Sequence, residues 1–266
     1  YQGFPNGIAA SEKFDSLDLR SGSHDMSMRG AYMSNRFTDD TMLEMGNISP
    51  HGRFVHLFRN GVYWGQYHLR ERWSAAMAEE YFGGEREDYE AINGNANVGG
   101  WSPGVAYDGD GSGWQTIKNL AAGGTPWASL QSRLDMQSYI DFWLLYDFGS
   151  SENEYRAFGQ PIENGVKMKF YLNDADGWTH PTGIAQNNDT GGPGNIMGRL
   201  ESENHVDFKT YFADRIYAHY FNDGALAAHK NIARLQRRID ETQLSFYCEA
   251  ARWGYRSPSS WQNYQN

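Results

Sequence analysis

The chain has 266 residues, of which 39% are hydrophobic and 15% aromatic, so it can bury a large core and does not have the composition of a disordered protein. Its formal net charge is −10, from 23 basic and 33 acidic residues, so its surface repels nucleic acid and anionic lipid. No apolar run approaches the ~20 residues that cross a bilayer, which predicts no membrane insertion, and a single cysteine excludes both an intrachain disulfide and a cysteine-rich zinc site.

The first part of the chain is predicted to be rich in strands. Residues 14–20 alternate apolar and polar side chains as a strand does, and residues 26–46 have helical spacing with Gly46 as the stop. The segment "RFVHLFRNGVYWGQYHLRER" contains two β-rich runs around Asn60-Gly61, a dipeptide that suits a two-residue type I′ turn. This segment therefore predicts a β-hairpin.

After the hairpin, helical patterns alternate with polar loops. The predicted elements are, in chain order, a helix over 73–82, a Gly/Asn-rich loop over 93–113, helices over 113–122 and 135–146, a strand over 166–172, a polar loop over 182–198 and a helical tail over 208–252, broken at 222–224. No internal repeat and no Pro/Ser linker is present, which favours one domain.

The pattern as a whole predicts a single α+β domain over residues 1–266, with a strand-rich lobe over about 1–100 and a helix-rich lobe over about 113–266. The chain starts "YQGFPNG", without methionine or a signal sequence, and ends in a polar stretch. We therefore expect it to be a fragment of a longer protein.

Two carboxylates follow the strand that ends at Leu172. Asp174 and Asp176 lie one residue apart, and residues i and i+2 of a strand share a face, so both can point into one cleft. Carboxylate oxygens are the ligands that a hard divalent cation prefers, and such a cation relieves the repulsion between two adjacent acids. The alternative is an Asp-x-Asp-Gly turn that is capped by its own side chains.

Several segments resemble the CotH (spore coat protein H) family of kinase-like proteins. "FVHLFRNGVYWGQYHLRER" resembles the family's hairpin, "LDLRSGSHDMSMRGAY" resembles the segment before it, and "FYLNDADGW" falls where the family has a strand that ends in W-D-x-D. "FADRIYAHYFNDGALAAHKN" and "EAARWGYR" are similar to the helical tail of a large-protein branch. The family's usual first strand lies before Tyr1.

The resemblance implies an atypical protein-kinase-like fold that binds ATP with Mg²⁺ or Mn²⁺ and transfers phosphate to protein Ser/Thr hydroxyls. It also implies a secreted or cell-surface bacterial protein whose partner is a protein substrate or a surface protein. Since some family members are adhesins or modules of large extracellular proteins, a catalytically degenerate module for adhesion or surface structure, with carboxylates that hold Ca²⁺ or a turn, is the alternative.

The catalytic loop that the resemblance implies is altered in this chain. In the family it carries an Asp and, a few residues later, an Asn; Asn153 fits the Asn and would complete the metal site. Phe148 or Gly149 stands where the Asp is expected, so Asp147 or Glu152 would have to accept the hydroxyl proton. Residues 147–149 read "DFG", but no His-Arg-Asp precedes them, and we interpret the tripeptide as coincidence.

Arginines are the candidate phosphate ligands, because the chain has no G-x-G-x-x-G and no Walker sequence. Arg20, Arg29 and Arg70 are the candidates, and Glu71 is predicted to fix one of them as an ion pair, as a Lys–Glu pair does in kinases. The alternative is a set of structural salt bridges that flank the hairpin.

Other chemistries have weaker support. "YDGDGSGW" resembles half of a calcium loop, with Asp108 and Asp110 at alternating positions, but position twelve would be Asn119 rather than a bidentate Glu, so a polar turn is the preferred interpretation. No H-E-x-x-H or G-x-S-x-G is present, which disfavours zinc and serine hydrolases. Trp101, Trp114 and Trp178 keep a carbohydrate-binding role open, although packing in the core is the alternative for each.

Overall fold

A computed structural model of the chain describes residues 8–22, 33–97, 100–149, 154–176 and 191–254. Within these ranges the fold is α+β, with two antiparallel sheets and eight α-helices, as the sequence predicts for the class. The strands are β1 (Leu17–Arg20), β2 (Gly52–Arg59), β3 (Val62–Glu71), β4 (Glu90–Asn97), β5 (Gly100–Trp101), β6 (Val105–Asp108), β7 (Glu154–Gly159) and β8 (Lys169–Asn173). The helices are α1 (Ser34–Glu44), α2 (Ala75–Phe82), α3 (Ser112–Ala121), α4 (Pro126–Leu130), α5 (Met136–Gly149), α6 (Ile196–Glu203), α7 (Val206–Tyr220) and α8 (Ala228–Trp253).

The first sheet has three strands in the order β1-β3-β2 and contains the predicted hairpin. The turn between β2 and β3 is the predicted one, since Asn60 (φ 50°) and Gly61 (φ 79°) both lie in the left-handed region that a type I′ turn requires. The hairpin prediction is therefore confirmed, including its turn.

We expect Gly61→Ala to destabilise the fold by about 1 kcal/mol, because an L-residue with a Cβ is strained at this positive φ. Chemical denaturation measures the change. Gly124→Ala is the matched control, since Gly124 has no positive φ and open space around its Cα. A loss at position 124 as large as that at position 61 would contradict the explanation.

The second sheet has the order β5-β4-β7-β8, with β6 also paired to β4. β4 comes from the first hundred residues and pairs with β7, which comes from the later part of the chain, so the two predicted lobes share a sheet. One face of this sheet packs on α5, and Tyr139, Phe142, Phe170 and Leu172 are fully or almost fully buried in the large core between them.

The prediction of a loop over 93–113 is wrong, because this segment contains most of β4 together with β5, β6 and the start of α3. Glycine and asparagine suggested a loop, but Gly94 is needed inside the strand: a Cβ there would lie 2.3 Å from Cε1 of Tyr155. Strand β7 was also missed, since its first residues belong to the segment that we interpreted as the catalytic loop.

The predictions over 14–20, 73–82, 113–122, 135–146 and 166–172 agree with the structure within three residues, and the helical tail is broken where expected, between α7 and α8. The helix predicted over 26–46 is described from Ser34 to Glu44, and residues 26–32 of that prediction lie outside the described residues. Among the described helices, none combines the length and apolarity that crossing a membrane requires. The long helix α8 returns to the first sheet, where Glu249 accepts a hydrogen bond from the backbone N–H of Gln66 in β3. This contact places the end of the chain's last described helix against the hairpin.

Candidate functional site

A cleft of about 630 Å³ opens between the two sheets. One wall is the polar face of β1 and β3, and the other is formed by β4, β6, β7 and the end of β8. Its charged lining consists of four arginines (Arg20, Arg70, Arg72, Arg156) and three acids (Asp18, Glu154, Asp174). The lining thus carries four positive and three negative charges, so it is less acidic than the chain as a whole, whose net charge is −10.

The two acids after β8 converge on one cation. Nη2 of Arg20 lies 2.6 Å from Oδ1 of Asp174 and 3.4 Å from Oδ1 of Asp176. The side chain of Asp174 is 43% exposed and that of Asp176 is 8% exposed, so the pair runs from the open cleft into the protein. Both acids therefore approach one guanidinium, and Asp174 is the one of the two that lines the cleft.

The reason for this convergence differs from the predicted one. Strand β8 ends at Asn173, and Asp174 has φ 52°, so the two acids do not sit at positions i and i+2 of a regular strand. Asn35 of α1 holds the turn instead: its Oδ1 accepts a hydrogen bond from the backbone N–H of Ala175 (2.9 Å), and its Nδ2 donates to Asp176. Sequence reasoning missed Asn35, because no local pattern marks it.

Arg20 remains charged in this site. Burial works to lower the pKa of Arg20, but the hydrogen bond to Asp174 and the negative charges of Asp174 and Asp176 outweigh burial and raise it. In the register of β1 and β3, Arg20 lies opposite His68 and Asp18 opposite Arg70. Arg20 and Arg70 therefore come from the same face of the first sheet.

Arg70 joins the two walls of the cleft. Its Nη1 donates to the hydroxyl of Tyr171 (2.5 Å) and its Nη2 to Oδ1 of Asn173 (2.6 Å). Asn173 in turn donates to Glu154 (2.8 Å), which also pairs with Arg156 (2.8 Å). Arg70 is only 5% exposed, and these hydrogen bonds fix its guanidinium in the floor of the cleft.

Arg72 and the Glu71 side chain face different surroundings. Arg72 is exposed at the rim of the cleft, and among the described residues its guanidinium has no ion pair or hydrogen bond. Among the described residues Glu71 pairs with no arginine: it accepts from the backbone N–H of His51 (2.7 Å) and from the hydroxyl of Tyr81 (2.6 Å). Successive strand residues point to opposite faces, so Glu71 is directed away from the side that Arg70 occupies.

A second cluster of charges lies behind Arg70. The carboxylate of Asp39, which is fully buried, is 3.5 Å from Arg36, 3.8 Å from Arg70 and 3.9 Å from His68. Burial raises the pKa of Asp39 in spite of the two arginines. Burial and then the neighbouring arginines lower the pKa of His68 well below its ordinary value, so His68 is neutral at physiological pH.

The other predicted catalytic positions are not assembled by the described residues. Asp147 lies in the last turn of α5, is exposed, and is not part of the described lining of the cleft. Burial and then the charge of Asp147 raise the pKa of Tyr146 and of Tyr220 to about 12, which places Asp147 near α7. Arg29, Glu152 and Asn153 lie outside the described residues.

The calcium-loop alternative is explained by helix capping. Asp108 accepts from the backbone N–H of Ala75 (3.0 Å) at the start of α2, and it pairs with Arg86 (3.3 Å). Asp110 accepts from the backbone N–H of Ser112 (2.9 Å) at the start of α3. Both acids thus satisfy helix N-termini, as the polar-turn interpretation predicts.

The tryptophans considered for carbohydrate binding are used in packing where they are described. Trp114 is 2% exposed and donates its indole N–H to the backbone carbonyl of Pro103 (2.8 Å). Trp101 is partly buried and packs on the large core, 4.6 Å between ring centroids from Tyr146. Trp178 lies outside the described residues.

Asp174 and Asp176 fit a divalent cation by their donor type. They present two carboxylate oxygens to one position, now contacted by a single guanidinium nitrogen, and oxygen is the ligand that Mg²⁺, Mn²⁺ and Ca²⁺ prefer. In the part of the chain that the structure describes, no group of three or more His, Cys, Asp or Glu side chains is arranged to hold a metal ion. Of the candidate metal site, the structure therefore describes two ligands, Asp174 and Asp176.

Comparison with known proteins supplies one match. The model of a family described as CotH kinase protein matches residues 2–148, which is more than half of the 266 residues. The matched part includes β1 to β6, α1 and the hairpin, and it ends one residue before the end of α5. A search of curated proteins finds no match to this chain.

Proposed function

The chain belongs to the CotH kinase protein family, and on this premise we propose that it is a kinase-like domain which binds ATP and a divalent cation in the cleft between its two sheets. One observation carries the proposal. Asp174 and Asp176, which follow a strand at the mouth of the cleft, converge on one position beside four arginines. A nucleoside triphosphate with a bound cation needs this combination of carboxylate and guanidinium groups.

The arginines supply the anion-binding part of the proposed site. Arg70 is fixed between the walls by hydrogen bonds to two neutral partners, and its nearest described carboxylates, those of Asp18 and Asp39, each lie farther away, at 3.8 Å. Arg72 adds an exposed charge at the rim. Charge-assisted contacts of this kind bind and orient phosphate oxygens without covalent chemistry.

A bound Mg²⁺ or Mn²⁺ would neutralise phosphate charge during the transfer, and Asp174, Asp176 and Asn153 would hold it. Asn35 keeps Asp176 in place through its side-chain amide. The Asp176 side chain is only 8% exposed, so that end of the site has little contact with bulk solvent. The hydrogen bonds from Asn35 and the buried position of Asp176 thus orient the reacting groups.

The proposed reaction is phosphoryl transfer to a Ser or Thr hydroxyl of a secreted or cell-surface protein. The hydroxyl oxygen forms a bond to the terminal phosphorus, the bond to the nucleoside diphosphate breaks, and an acidic side chain accepts the hydroxyl proton. The location of Asp147 at the α7 side of α5 gives that residue no support as the acceptor. Glu152, two residues before the cleft residue Glu154, is the better candidate in this proposal.

A second function is favoured by a different observation. Arg20 pairs with both acids, as expected for a catalytically degenerate module whose carboxylates have a structural role. Such a module would act in adhesion or surface structure, with a protein partner and with Ca²⁺ or no ion at the acids. Phe148 and Gly149, at the place of the expected acid, favour the same alternative.

Thermal and chemical unfolding with ligands distinguishes the two functions. A ligand at about 100 times its Kd stabilises the fold by about 2.7 kcal/mol. We expect this gain with ATP plus Mg²⁺ or Mn²⁺ together, because each component completes the binding site of the other. ATP in EDTA and Ca²⁺ alone are the controls. A response to Ca²⁺ without any response to nucleotide would support the module and end the kinase proposal.

A further inference from the structure

We infer that Arg20 is an internal counter-ion which occupies the divalent-cation position between Asp174 and Asp176, and that the metal–nucleotide complex has to displace it. The inference rests on the proposed function and adds a mechanism that regulates the same site. It assigns to Arg20 two alternative partners: the acids in the ligand-free protein, and the phosphates of the nucleotide in the complex. Metal binding and the Arg20–carboxylate contact are then mutually exclusive.

The geometry of the contact is the first support. One nitrogen, Nη2 of Arg20, is the group that touches Oδ1 of both acids, at 2.6 and 3.4 Å. A bidentate Arg–carboxylate pair would use two nitrogens on the two oxygens of one acid. Instead a single positively charged group bridges two carboxylates, which is how a cation is held between them.

Burial is the second support. The Asp176 side chain is 8% exposed, so its charge requires a counter-ion inside the protein rather than water. The Asp174 side chain is 43% exposed and lines the cleft, so an ion can reach the same position from solvent. The position between the two acids is therefore closed on the Asp176 side and open to the cleft on the Asp174 side. The side chain of Arg20, which fills this position, can move away from it.

The surroundings of Arg20 are the third support. Arg20 is the last residue of β1, a four-residue strand at the edge of its sheet, and its side chain is 23% exposed. It also lines the cleft, so a rotation of the side chain keeps it within reach of an anion there. Arg70, in contrast, is 5% exposed and fixed by hydrogen bonds to Tyr171 and Asn173.

A consequence is that metal alone binds weakly and nucleotide strengthens it. Without nucleotide, an incoming cation must displace the Arg20 guanidinium from both of its carboxylate partners. With nucleotide, the phosphates accept the guanidinium as the metal takes the acids. Such coupling is reciprocal, so metal strengthens nucleotide binding by the same factor, typically 5- to 150-fold in allosteric systems.

The test is Mn²⁺ affinity without nucleotide, measured from the electron paramagnetic resonance signal of unbound Mn²⁺. We expect Arg20→Gln to bind Mn²⁺ about tenfold or more tightly than the wild type, because the competing charge is gone. Arg72→Gln is the matched control: it removes the same charge from the same cleft, but its side chain does not contact the acids in the described structure. We expect a change of at most about twofold for Arg72→Gln, since an exposed charge at the rim is screened.

The outcomes separate the two proposals. If wild type binds Mn²⁺ with ATP and Arg20→Gln gains no affinity for Mn²⁺ alone, the counter-ion inference is wrong and the proposed function stands. If neither protein binds Mn²⁺ under any condition, both fail. The double variant Arg20→Gln/Asp176→Asn should lose the gained affinity, and a gain that persists in it would place the metal elsewhere.

A fallback variant covers the case in which Arg20→Gln does not fold, as judged by circular dichroism. Arg20→Lys keeps a positive charge at the same position, so we expect its Mn²⁺ affinity to stay within about threefold of the wild type. A tenfold gain in Arg20→Lys would overturn the inference, because the competing charge would still be present.

Discussion

We expect Asp176→Asn to abolish most of the stabilisation that metal and nucleotide confer together. Asp176 is the more buried of the two acids, and Asn has nearly the same shape but no charge for a divalent ion. If the substitution weakens binding 100-fold, a ligand concentration that stabilises the wild type by about 2.7 kcal/mol stabilises the variant by only about 0.4 kcal/mol. Denaturant unfolding with and without ATP and Mn²⁺ measures the difference.

Asp18→Asn is the matched control for this experiment. Asp18 is an acid of the same cleft, but its nearest described cation is Arg70, at 3.8 Å, rather than Arg20. We expect the variant to retain most of the ligand-dependent gain. An undiminished gain in Asp176→Asn would show that the ligand binds without this acid, and the proposed site would then be in the wrong place.

The second large effect concerns the fold itself. We expect Asp40→Asn to destabilise the ligand-free protein by about 3–5 kcal/mol, because it removes the fully buried carboxylate that pairs with both Arg36 and Arg238. Asp40 is fully buried and its carboxylate binds Arg238 through two nitrogens, at 2.6 and 2.8 Å. It also accepts from Nε of Arg36 at 3.0 Å. These contacts attach α8 to α1, so urea or guanidinium unfolding should report the loss directly.

Asp39 provides a control that is adjacent in the same helix and equally buried. Burial raises the pKa of Asp39, whereas the charges of Arg36 and Arg238 overcome burial and lower the pKa of Asp40. When the folded state disfavours the charged form of a group, removing that charge lowers the free energy of unfolding only slightly. We therefore expect Asp39→Asn to cost about 1 kcal/mol or less. Equal losses for the two variants would contradict this electrostatic explanation.

The same pKa directions predict how the variants respond to acid. Because the folded state lowers the pKa of Asp40, its stabilisation is fully present above the unfolded-state pKa of about 3.9 and is lost as the pH falls below it. Below about pH 4, the free energy of unfolding of Asp40→Asn should therefore decrease less steeply with falling pH than that of the wild type. The slope of unfolding free energy against pH, from pH 3 to 6, measures this.

Much of the local structure could be predicted because the signals are local. The positive φ that Asn and Gly tolerate identifies the Asn60-Gly61 turn, and apolar periodicity identifies helices such as α3 and α8. The hairpin sequence also led to the CotH family, which the family match confirms. Each of these signals is contained within about 10 to 25 consecutive residues.

Local composition misled the prediction where packing decides. The Gly/Asn-rich segment that contains β4 and β6 is a set of strands because Gly94 packs directly on the ring of Tyr155 in the neighbouring strand. Glu71 illustrates the same point, since the expected ion pair is replaced by contacts with His51 and Tyr81. Neither partner can be identified from the residues next to it in the chain.

By itself the sequence determined the α+β class, the family, the hairpin and the presence of an Asp-x-Asp pair after a strand. Only the tertiary structure decided what the pair contacts: Arg20 and Asn35 lie about 140 to 155 residues earlier in the chain, and the cleft forms where two separate sheets face each other. The physical reason is the separation along the chain over which each interaction acts. Turn and helix preferences act over only a few consecutive residues. A charge buried between two sheets selects its partner by distance in space.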